Sequence, residues 1–599
     1  LQNPSQLHDA ILTMDKFSNS LPVAIASIGS SKITLLVGSA ITVGADATIP
    51  DNIILWFVGP GKLFVNSGKV LTINSPSQVL AHTQQQVFDG TGTVSFTNGG
   101  IVSPGWWGFS SGGTAAANAD AYNACTASLT ATGGAIVIPP TGAAHQVDDT
   151  LTHPAKPMSV IGAHPELSII ESTATASLKH GLTFTRSHHV RNLTIKTSAS
   201  LASNYDMYGV RMDLDGVTVS GGNQAVKWES VKVRGFNNSF YCDGGDAYNV
   251  DRLYFNDLDA QCSGPASTYI GSCLYINRVT QVYGTHSQFD QNSTGEHAIY
   301  CFGSKNLVFD GFKIRNFDKG TAQAIKVVGN GVAPDDDQAY PTWSIRNMDI
   351  ADGLNGILCG IYGTETLEAL TVENCKFVDV DTSAAILGCV YLSAAGTSNI
   401  RTLRVSGIST RNCLYQGVHV ATGASATMGP VSIRDCKGYN WSTTSVGTYT
   451  WFGTSGTGTF GPITLEGIEA DGNSKGRTIL SSSGQASTIS RIRYSGLKEV
   501  NTTNMGRPIS LPEADATPSL AIGNWFVQPN TGAQNITAYD NLEANQTYYI
   551  RFSTANTTLI DGANLQLAGS TNYNPPANTF MTFYCSDGTA LYEVSRSVN

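Results

Sequence analysis

A short alternating pattern returns along the chain from Glu229 to about Ser495. Each copy has two apolar residues separated by one position, then Asn or Asp two residues on, then a second apolar pair. A strand-type pattern that recurs every roughly 20 to 35 residues predicts a solenoid of stacked rungs. Since a solenoid has no closed central pocket, function is expected on its outer face and in its loops. The Asn or Asp positions are Asp257, Asn316, Asp352, Asp379, Asn412 and Asn440.

The composition agrees with an all-β chain. Only 13% of the 599 residues are charged, and 62 are Gly, which is typical of a protein rich in strands and turns. The net charge of −10 argues against nucleic acid as a partner, because a phosphate-binding surface needs a basic stripe. No apolar run approaches the roughly 20 residues of a membrane span, so we expect no membrane insertion.

Eleven cysteines occur without a C-x-x-C pair or a Cys/His cluster, so we predict no metal site and no cofactor. Several of them fall at apolar positions of the repeat, where a free thiol behaves as a small buried hydrophobe. This pattern favours a reduced protein that is assembled in a cytoplasm. The cysteines in apolar positions are Cys301, Cys359, Cys375 and Cys436.

The chain divides into three predicted regions. Residues 1–105 form an N-terminal β-region with short strands at 32–37, 53–58, 62–65 and 69–73. Residues 106–505 form a parallel β-helix, and a helix at 115–129 covers its first rung, whose apolar core would otherwise face water. Prolines between 505 and 518 mark a linker, and 506–599 form a C-terminal β-sandwich. The chain starts at Leu1 rather than Met, so we expect that a further N-terminal region precedes it.

Aligning the copies gives columns of stacked side chains about 4.8 Å apart. The Asn and Asp residues fall at turns, where a short polar side chain tolerates left-handed backbone, so Asp257, Asp352 and Asp379 are expected to be structural. The alignment groups Phe255 with Phe289 in an inward column. Outward positions carry Tyr and cationic residues, a mixture that suits an extended sugar chain.

The predicted helix, the GGAIVIP segment at 133–139 and the rungs that follow resemble the pectate-lyase-like right-handed β-helix superfamily. With the C-terminal β-sandwich and the closing LYEVSRS segment at 591–597, the chain looks like a bacteriophage tailspike depolymerase. The resemblance implies a homotrimer in the virion, joined to the phage tail or baseplate through the preceding N-terminal region. It also implies binding and cleavage of capsular or exopolysaccharide at the bacterial surface. No catalytic residue carries over, because the superfamily's members use different rungs.

Glycoside hydrolysis needs two carboxylates, one protonated as acid and one ionised as base or nucleophile. The first candidate pair is Asp290 and Glu296. The alignment predicts that Asp290 points outward between Asn256 and Arg315, where a guanidinium would hold it ionised. Glu296 lies across the following turn and is expected to be the acid.

The second candidate pair is Asp243 and Asp246, which flank two glycines and are themselves flanked by Tyr241 and Tyr248. Glycines at this position would let a sugar approach the backbone closely. Several further residues are predicted to contact substrate because they combine rings, cations or imidazole near these pairs or beside the long acidic loop at 329–341. They are His297, Tyr300, Arg315, Lys326, Tyr340 and Trp343.

Two other functions stay open on the sequence alone. A polysaccharide lyase would use a base such as His297 or Tyr300 and a cation such as Arg315 or Lys326 to remove the proton next to a uronate carboxylate. A β-helical adhesin would bind the glycan without cutting it. Hydrolysis is the preferred prediction.

Overall fold

A computed structural model provides the structure of the protein. It describes residues 10–129, 133–174, 180–198, 207–214, 224–245, 248–262, 271–291, 297–317, 323–329, 339–381, 388–413, 416–441, 451–472, 480–482, 492–495, 498–500, 509–520 and 524–597. The predicted fold class is confirmed: the chain is an all-β parallel β-helix with a capping helix and a C-terminal β-sandwich. Two compact units are present, Leu1–Val327 with Met348–Leu354, and Val328–Asn347 with Asn355–Asn599.

The N-terminal region is itself a small solenoid, which the sequence pattern did not reveal. Its strands fall into three narrow parallel sheets, β1-β2-β5-β8, β3-β6-β9 and β10-β7-β4, so consecutive strands turn from one sheet to the next. Leu35, Leu55 and Val79 are in register and fully buried, and they form one column of its core. The strands are β1 (Ala10–Thr13), β2 (Ile33–Val37), β3 (Ala40–Val43), β4 (Ala47–Ile49), β5 (Ile53–Phe57), β6 (Lys62–Val65), β7 (Val70–Ile73), β8 (Val79–Leu80), β9 (Phe88–Asp89), β10 (Thr93–Phe96) and β11 (Gly100–Val102).

Two α-helices are present in the described residues. The first, α1 (Leu21–Ile28), was not predicted; Pro22 stands in its first turn, where a missing amide proton costs nothing. The second, α2 (Ala115–Ala127), confirms the predicted cap and ends two residues earlier than expected. Thr114 begins it by accepting a hydrogen bond from the Ala117 amide at 3.3 Å. Asn118 fixes it to the first rung by donating to the Gln146 carbonyl at 2.9 Å.

The rungs of the β-helix contribute three strands each. Their bounds are β12 (Gly134–Val137), β13 (Ala144–Val147), β14 (Leu151–Thr152), β15 (Met158–Ile161), β16 (Ile169–Ser172), β17 (Leu182–Phe184), β18 (His188–Thr197), β19 (Tyr208–Asp213), β20 (Gln224–Arg234), β21 (Asn238–Asp243), β22 (Val250–Asn256), β23 (Asp259–Gln261), β24 (Ser272–Asn277), β25 (Val279–Thr285), β26 (Gln288–Asp290), β27 (His297–Phe302), β28 (Asn306–Asp310), β29 (Lys313–Arg315) and β30 (Gln323–Val328).

The later rungs are similar, except that each rung between Asn399 and Ser482 contains four strands. They contain β31 (Ala339–Arg346), β32 (Asp349–Leu354), β33 (Ile357–Ile361), β34 (Thr366–Glu373), β35 (Lys376–Asp381), β36 (Gly388–Ala394), β37 (Asn399–Ile400), β38 (Leu403–Ser406), β39 (Ser409–Arg411), β40 (Gln416–Thr422), β41 (Thr427–Met428), β42 (Val431–Arg434), β43 (Lys437–Trp441), β44 (Phe452–Gly456), β45 (Thr459–Phe460), β46 (Ile463–Glu466), β47 (Glu469–Gly472), β48 (Leu480–Ser482), β49 (Ile492–Ser495) and β50 (Lys498–Val500).

Strands of successive rungs pair in parallel and form three columns in the first unit; the second unit adds to these a stack of short strands, β37-β41-β45. In the first unit, column one runs β12-β15-β18-β20-β22-β25-β28, column two runs β13-β16-β18-β20-β23-β26-β29-β32, and column three runs β14-β17-β19-β21-β24-β27-β30. The long strands β18 and β20 belong to both of the first two columns. In the second unit, column three runs β33-β36-β40-β44-β48, and β34 and β35 begin the regular stacks of columns one and two.

The turn residues confirm the expected left-handed backbone and belong to two columns rather than one. Asp257 (φ +54°) lies between columns one and two. Asn316 and Asn412 (φ +57° and +54°) directly follow strands of column two, whereas Asp352 and Asp379 (φ +60° and +51°) lie within the column-two strands β32 and β35. Asn440 likewise lies within β43. The sequence alignment merged the two turns because each follows an apolar-x-apolar pair.

The same merging displaced two columns of side chains by one strand. The inward neighbour of Phe289 is Ala260 and not Phe255, which lies in column one. The outward neighbours of Asp290 are Gln261 and Arg315. The prediction that Asn256 adjoins Asp290 is therefore wrong.

The C-terminal strands enclose a core of their own. A six-stranded sheet, β51-β52-β54-β57-β58-β56, accompanies a two-stranded sheet, β53-β55, and buried residues such as Phe526, Ile550 and Phe583 fill the interior. The strands are β51 (Ile509–Ser510), β52 (Trp525–Gln528), β53 (Gln534–Ile536), β54 (Gln546–Phe552), β55 (Thr557–Leu559), β56 (Leu565–Gln566), β57 (Thr579–Cys585) and β58 (Leu591–Ser597).

The eleven cysteines are all free and buried, which confirms the prediction made for Cys301, Cys359, Cys375 and Cys436. Among the described residues, no helix is long and apolar enough to cross a membrane. Within the same residues, no three His, Cys, Asp or Glu side chains are grouped so that they could hold a metal ion.

Candidate active site

One position on each strand of column three in the first unit emerges from the core. In the pattern of β21, β24, β27 and β30, three buried residues precede this half-exposed position and a buried residue follows it. Because the strands are in register, these side chains stack along the outer face. We call this surface the tyrosine face; its residues are Tyr208, Arg211, Tyr241, Tyr275, Tyr300 and Lys326.

The rings of the tyrosine face contact one another in sequence. Tyr241 and Tyr275 are stacked with centroids 5.0 Å apart, and Tyr300 meets Tyr275 edge-on at 5.4 Å. The guanidinium of Arg211 lies 5.4 Å from the Tyr208 ring, and the ammonium of Lys326 lies 4.9 Å from the Tyr300 ring. The surface therefore carries a row of mutually contacting tyrosine rings with a cation at each end. It includes Tyr300 and Lys326, two of the residues that the sequence predicts as substrate contacts.

The phenols of this face stay protonated. Burial, with the charge of Asp243 as a smaller contribution, raises the pKa of Tyr241 far above its ordinary value. Burial likewise raises the pKa of Tyr275. The Tyr275 hydroxyl can therefore donate a hydrogen bond to a bound molecule, whereas the Tyr241 hydroxyl donates to Asp243. Neither phenol is a ready base near neutral pH.

Two carboxylates from adjacent rungs lie beside the tyrosine face. Asp213 at the end of β19 is the in-register neighbour of Asp243 at the end of β21, and neighbouring strands stand about 4.8 Å apart. Asp213 accepts a hydrogen bond from Arg211, whose side chain also belongs to the face. The structure thus supplies Asp243 with a carboxylate partner that the sequence analysis missed.

Asp243 is almost completely enclosed and held by three donors. The Gly245 amide donates to its Oδ1 at 2.8 Å, while the Asn277 Nδ2 and the Tyr241 hydroxyl donate to its Oδ2 at 2.9 and 3.1 Å. Burial nevertheless raises the pKa of Asp243, and the charge of Asp213 raises it further, against the opposing effect of these hydrogen bonds. Asp243 therefore favours the protonated form more than an ordinary aspartate does.

His180 supports the cationic end of the face. Its Nε2 lies 2.9 Å from Nη1 of Arg211, and burial together with the Arg211 charge lowers its pKa to about 3. The imidazole is therefore neutral at physiological pH, and Nε2 can accept a hydrogen bond from the Arg211 guanidinium. This contact and the contact with Asp213 fix the orientation of Arg211.

Asp290 lies elsewhere, in a shallow groove on the outer face of column two. The groove has a volume of about 230 Å³ and is lined by Arg234, Asp259, Gln261, Gln288, Phe289, Asp290, Lys313 and Arg315. Asn316 donates to Asp290 Oδ1 at 3.0 Å. Arg315 is in register with Asp290, and its Nη2 donates to Asp349 at 2.7 Å. Glu296, the predicted partner of Asp290, lies outside the described residues, as does Asp246.

The other predicted contacts divide between surface and core. His297 is 1% exposed, and its ring lies 5.3 Å from Tyr300 and 3.4 Å from the Lys326 ammonium. His297 therefore supports the tyrosine face from below. Tyr340 and Trp343 are fully buried, with ring centroids 5.4 Å apart, and Tyr340 donates to Glu365 at 2.9 Å. Their prediction as sugar contacts is wrong because both point into the core of the second unit.

Sequence reasoning overlooked Asp213, Arg211, Tyr241 and Tyr275 as a group. The signal is a tripeptide repeated in column three: RMD at 211–213, YCD at 241–243 and YIN at 275–277. Each has a half-exposed ring or cation, a buried residue and a polar residue. The alignment began at Glu229 and followed columns one and two, so it did not bring these tripeptides together.

Comparisons with known proteins give one distant structural similarity. Neither a protein family nor a curated protein matches the sequence. Among solved structures, the chain is similar to the catalytic unit of thermostable GH87 alpha-1,3-glucanase from Streptomyces thermodiastaticus strain HF3-3, with a TM-score of 0.35 and 11% identity. The match covers 69% of this chain and 65% of that chain, so this chain spans just under two thirds of the glucanase.

Proposed function

We propose that this protein binds and cleaves a bacterial surface polysaccharide, capsular polysaccharide or exopolysaccharide, by hydrolysis of a glycosidic bond. The observation that carries the proposal is the pair Asp213 and Asp243 beside the tyrosine face. An extended glycan needs a long open surface with aromatic rings beside its sugars and donors for its hydroxyls. The tyrosine face offers both over several rungs, next to two carboxylates in different surroundings.

In the proposed reaction Asp243 is the general acid. Its raised pKa favours a carboxylic acid, and the Tyr241 hydroxyl lies 3.1 Å from Oδ2. When Asp243 carries the proton, this hydrogen bond runs from Oδ2 to the phenol oxygen, so the phenol proton can pass to the leaving oxygen as the phenol takes the proton of Asp243. Asp213 is the second carboxylate and acts as the nucleophile. The backbones of in-register neighbours stand about 4.8 Å apart, and carboxyl groups that keep this spacing come close to the roughly 5 to 5.5 Å of carboxyl pairs in retaining glycosidases. We therefore expect retention at the anomeric carbon.

Hydrolysis is preferred to elimination because the phenols of the tyrosine face are poor bases. A lyase needs a base for the proton next to the uronate carboxylate, and burial raises the pKa of Tyr241 and Tyr275 away from that role. The lyase is the second candidate, because Arg211 and Lys326 at the ends of the face could neutralise a uronate. A glycan-binding adhesin would use the same rings without the carboxylates.

The test is incubation of the protein with purified capsular polysaccharide or exopolysaccharide. New reducing ends without ultraviolet absorbance from an unsaturated sugar support hydrolysis. New reducing ends with that absorbance support elimination. Unchanged chain length with retained binding supports the adhesin and overturns the proposed cleavage.

The pair Asp290 and Glu296 stays a separate proposal for the catalytic carboxylates, with the groove on column two as the substrate site. Single variants distinguish it from the tyrosine face. Loss of cleavage in Asp290→Asn with full activity in Asp213→Asn and Asp243→Asn would place the chemistry in the groove. The reverse pattern would place it at the tyrosine face.

For the biological setting we propose a homotrimeric bacteriophage tailspike, attached to the phage tail through a further N-terminal region and acting at the surface of the host. The sequence resemblance to tailspike depolymerases supports this setting. Sedimentation of the purified protein tests the trimer. Binding of the protein to capsulated cells, compared with cells stripped of capsule, tests the host contact.

A further inference from the structure

A second set of reactive side chains lies in column three of the second unit. The Ser455 hydroxyl is 2.7 Å from Nε2 of His419, and Nδ1 of His419 is 2.5 Å from Oε1 of Gln416. Since an amide oxygen only accepts hydrogen bonds, Nδ1 carries the ring proton and Nε2 faces Ser455 as an acceptor. A hydroxyl, a base and a group that orients the base is the arrangement of nucleophilic catalysis.

The surrounding backbone makes room for this arrangement. A Cβ atom on Gly453 would stand 2.2 Å from Nε2 of Gln416, and a Cβ atom on Gly388 would stand 3.1 Å from Cβ of His419. Both positions therefore require glycine for the two polar side chains to pack against the strands. Glycine inside a strand weakens it, so its use twice around one histidine indicates that the placement of this side chain is specific.

The histidine is held from the side as well. The Tyr391 ring is in register with His419 and lies parallel to it, at 1° and 5.4 Å between centroids. Stacking and the Gln416 contact together fix the imidazole plane, so that Nε2 points at Ser455. His419 is enclosed whereas Ser455 is partly exposed, which leaves the hydroxyl as the member of the set that an external molecule can reach.

We infer that Ser455, His419 and Gln416 form a hydrolase site that removes small O-acyl groups, of acetyl size, from a hydroxyl-rich compound such as a sugar. The site goes beyond the proposed glycosidase and uses none of its residues. A partly exposed hydroxyl on the outer face suits a small acyl group on an extended substrate. The half-buried Tyr391 ring beside His419 offers an aromatic contact for the sugar.

The reaction balances with water as the co-reactant. The Ser455 oxygen bonds to the acyl carbon while its proton passes to Nε2 of His419. The bond from that carbon to the sugar oxygen breaks, and the sugar oxygen takes the proton. Water then attacks the acyl-serine, giving the free carboxylic acid and restoring the Ser455 hydroxyl. Burial lowers the pKa of His419 to about 4, so the ring stays neutral and able to accept a proton throughout the neutral range.

The first test uses the unaltered full chain and a fluorophosphonate probe, followed by peptide mass spectrometry. We expect the probe on the Ser455 peptide between pH 6 and 8. Labelling elsewhere only, or none, would overturn the inference, and this result does not depend on the folding of any variant.

The second test measures acetate release from p-nitrophenyl acetate and from an O-acetylated polysaccharide. Ser455→Ala should lower the rate at least about 100-fold, the size expected for loss of an activated nucleophile and its base. Ser393→Ala is the matched control, because Ser393 occupies the same outward position two strands earlier; it should retain full activity. Equal rates in Ser455→Ala and the unaltered protein would overturn the inference. Cleavage of the glycan backbone is scored separately, so failure here leaves the glycosidase proposal standing.

Discussion

Asp213 and Asp243 occupy the same register position on neighbouring parallel strands, yet their surroundings differ. Asp213 is paired with Arg211 at the surface, whereas Asp243 is enclosed and accepts hydrogen bonds from Tyr241, Gly245 and Asn277. Parallel pairing brings the backbones of two like residues within about 5 Å, and burial then raises the pKa of Asp243. Two carboxylates with different environments can take the roles of acid and nucleophile.

Replacing either carboxylate should abolish most of the glycan cleavage. We expect Asp243→Asn and Asp213→Asn each to lower kcat by about 10² to 10⁴-fold, because general acid and nucleophilic contributions are of that order. Initial rates of reducing-end formation measure the effect. Asp251→Asn is the control, since Asp251 forms a surface pair with Arg252 at 3.0 Å, and its activity should be unchanged. Full activity in both site variants would contradict the assignment.

The alkaline side of the pH–rate profile should report Asp243. Its pKa is raised, chiefly by burial, and the acid form is lost as pH rises through that raised value. Activity should therefore be highest on the acidic side and fall at a higher pH than an ordinary aspartate would allow. Rates from pH 4 to 9 on one glycan measure this limb. A profile that rises with pH would indicate that Asp243 is not the acid.

The rings of the tyrosine face should contribute to binding more than to chemistry. Tyr275→Ala removes a ring that contacts both Tyr241 and Tyr300, and we expect KM to rise about tenfold, or about 1.4 kcal/mol. Tyr275→Phe keeps the ring and should stay within about twofold. Calorimetry with a cleaved oligosaccharide gives the same comparison without turnover. Equal losses in the two variants would attribute binding to the hydroxyl instead of the ring.

Much of the fold follows from the sequence because strand alternation and turn residues repeat in every rung. The alternation places residues such as Phe289 and Ile314 inside, and Asn and Asp mark the left-handed turns. Register is harder to assign, because the first two strands of a rung have similar sequence patterns. Only a short turn with one left-handed residue, such as Asp257, separates them. An alignment shifted by one strand predicts Asn256 beside Asp290, whereas the in-register neighbour is Gln261.

The site was harder to predict than the fold because it is assembled across rungs. Asp243 was recognised from its glycines and tyrosine, but its partner Asp213 lies 30 positions earlier and becomes a neighbour only through the pairing of β19 and β21. Tyr340 and Trp343 were assigned to a loop edge, whereas β31 turns both side chains inward. The type of a residue does not show whether its side chain points inward or outward when the neighbouring positions on the strand are also polar.

Buried histidines should make the protein less stable in mild acid. Burial lowers the pKa of His153 to about 4 and that of His188 to about 3, so the unfolded chain binds more protons than the folded chain below about pH 6.5. Stability is full above that pH and falls as pH drops toward the folded values, by about 1.4 kcal/mol per pH unit for each histidine. Urea unfolding at pH 7.5 and 5.5 measures the slope.

The contribution of one histidine can be isolated. His153 lies between the Tyr122 hydroxyl and the Thr183 carbonyl, at 2.8 Å from each. His153→Gln keeps a polar side chain without the titration and should reduce the pH slope by about 1.4 kcal/mol per unit. An identical slope in this variant would mean that His153 gains no proton on unfolding in that range.

The left-handed turns should discriminate between alanine and glycine. Asn412 has φ +54° and donates to Asp379 at 2.8 Å. Asn412→Ala keeps a Cβ atom in left-handed backbone but removes the amide whose local hydrogen bonding makes that conformation tolerable, and it should destabilise the second unit by about 1 to 2 kcal/mol. Asn412→Gly has no Cβ atom and meets no such penalty. Thermal unfolding of the two variants gives the comparison. If the alanine variant is as stable as the glycine variant, the turn does not hold the left-handed conformation in solution.

The eleven cysteines should not react with a thiol reagent in the folded protein, and all should react after unfolding. Each is free and buried, and burial raises the pKa of thiols such as Cys301 and Cys436 to about 12, so neither solvent access nor thiolate is available. Titration with Ellman's reagent should give close to zero equivalents in native buffer and eleven in guanidinium chloride. Omission of reductant should not change the second value. Fewer than eleven equivalents under denaturing conditions would reveal disulfides and contradict a reduced protein, whereas rapid reaction in native buffer would show that the rungs open.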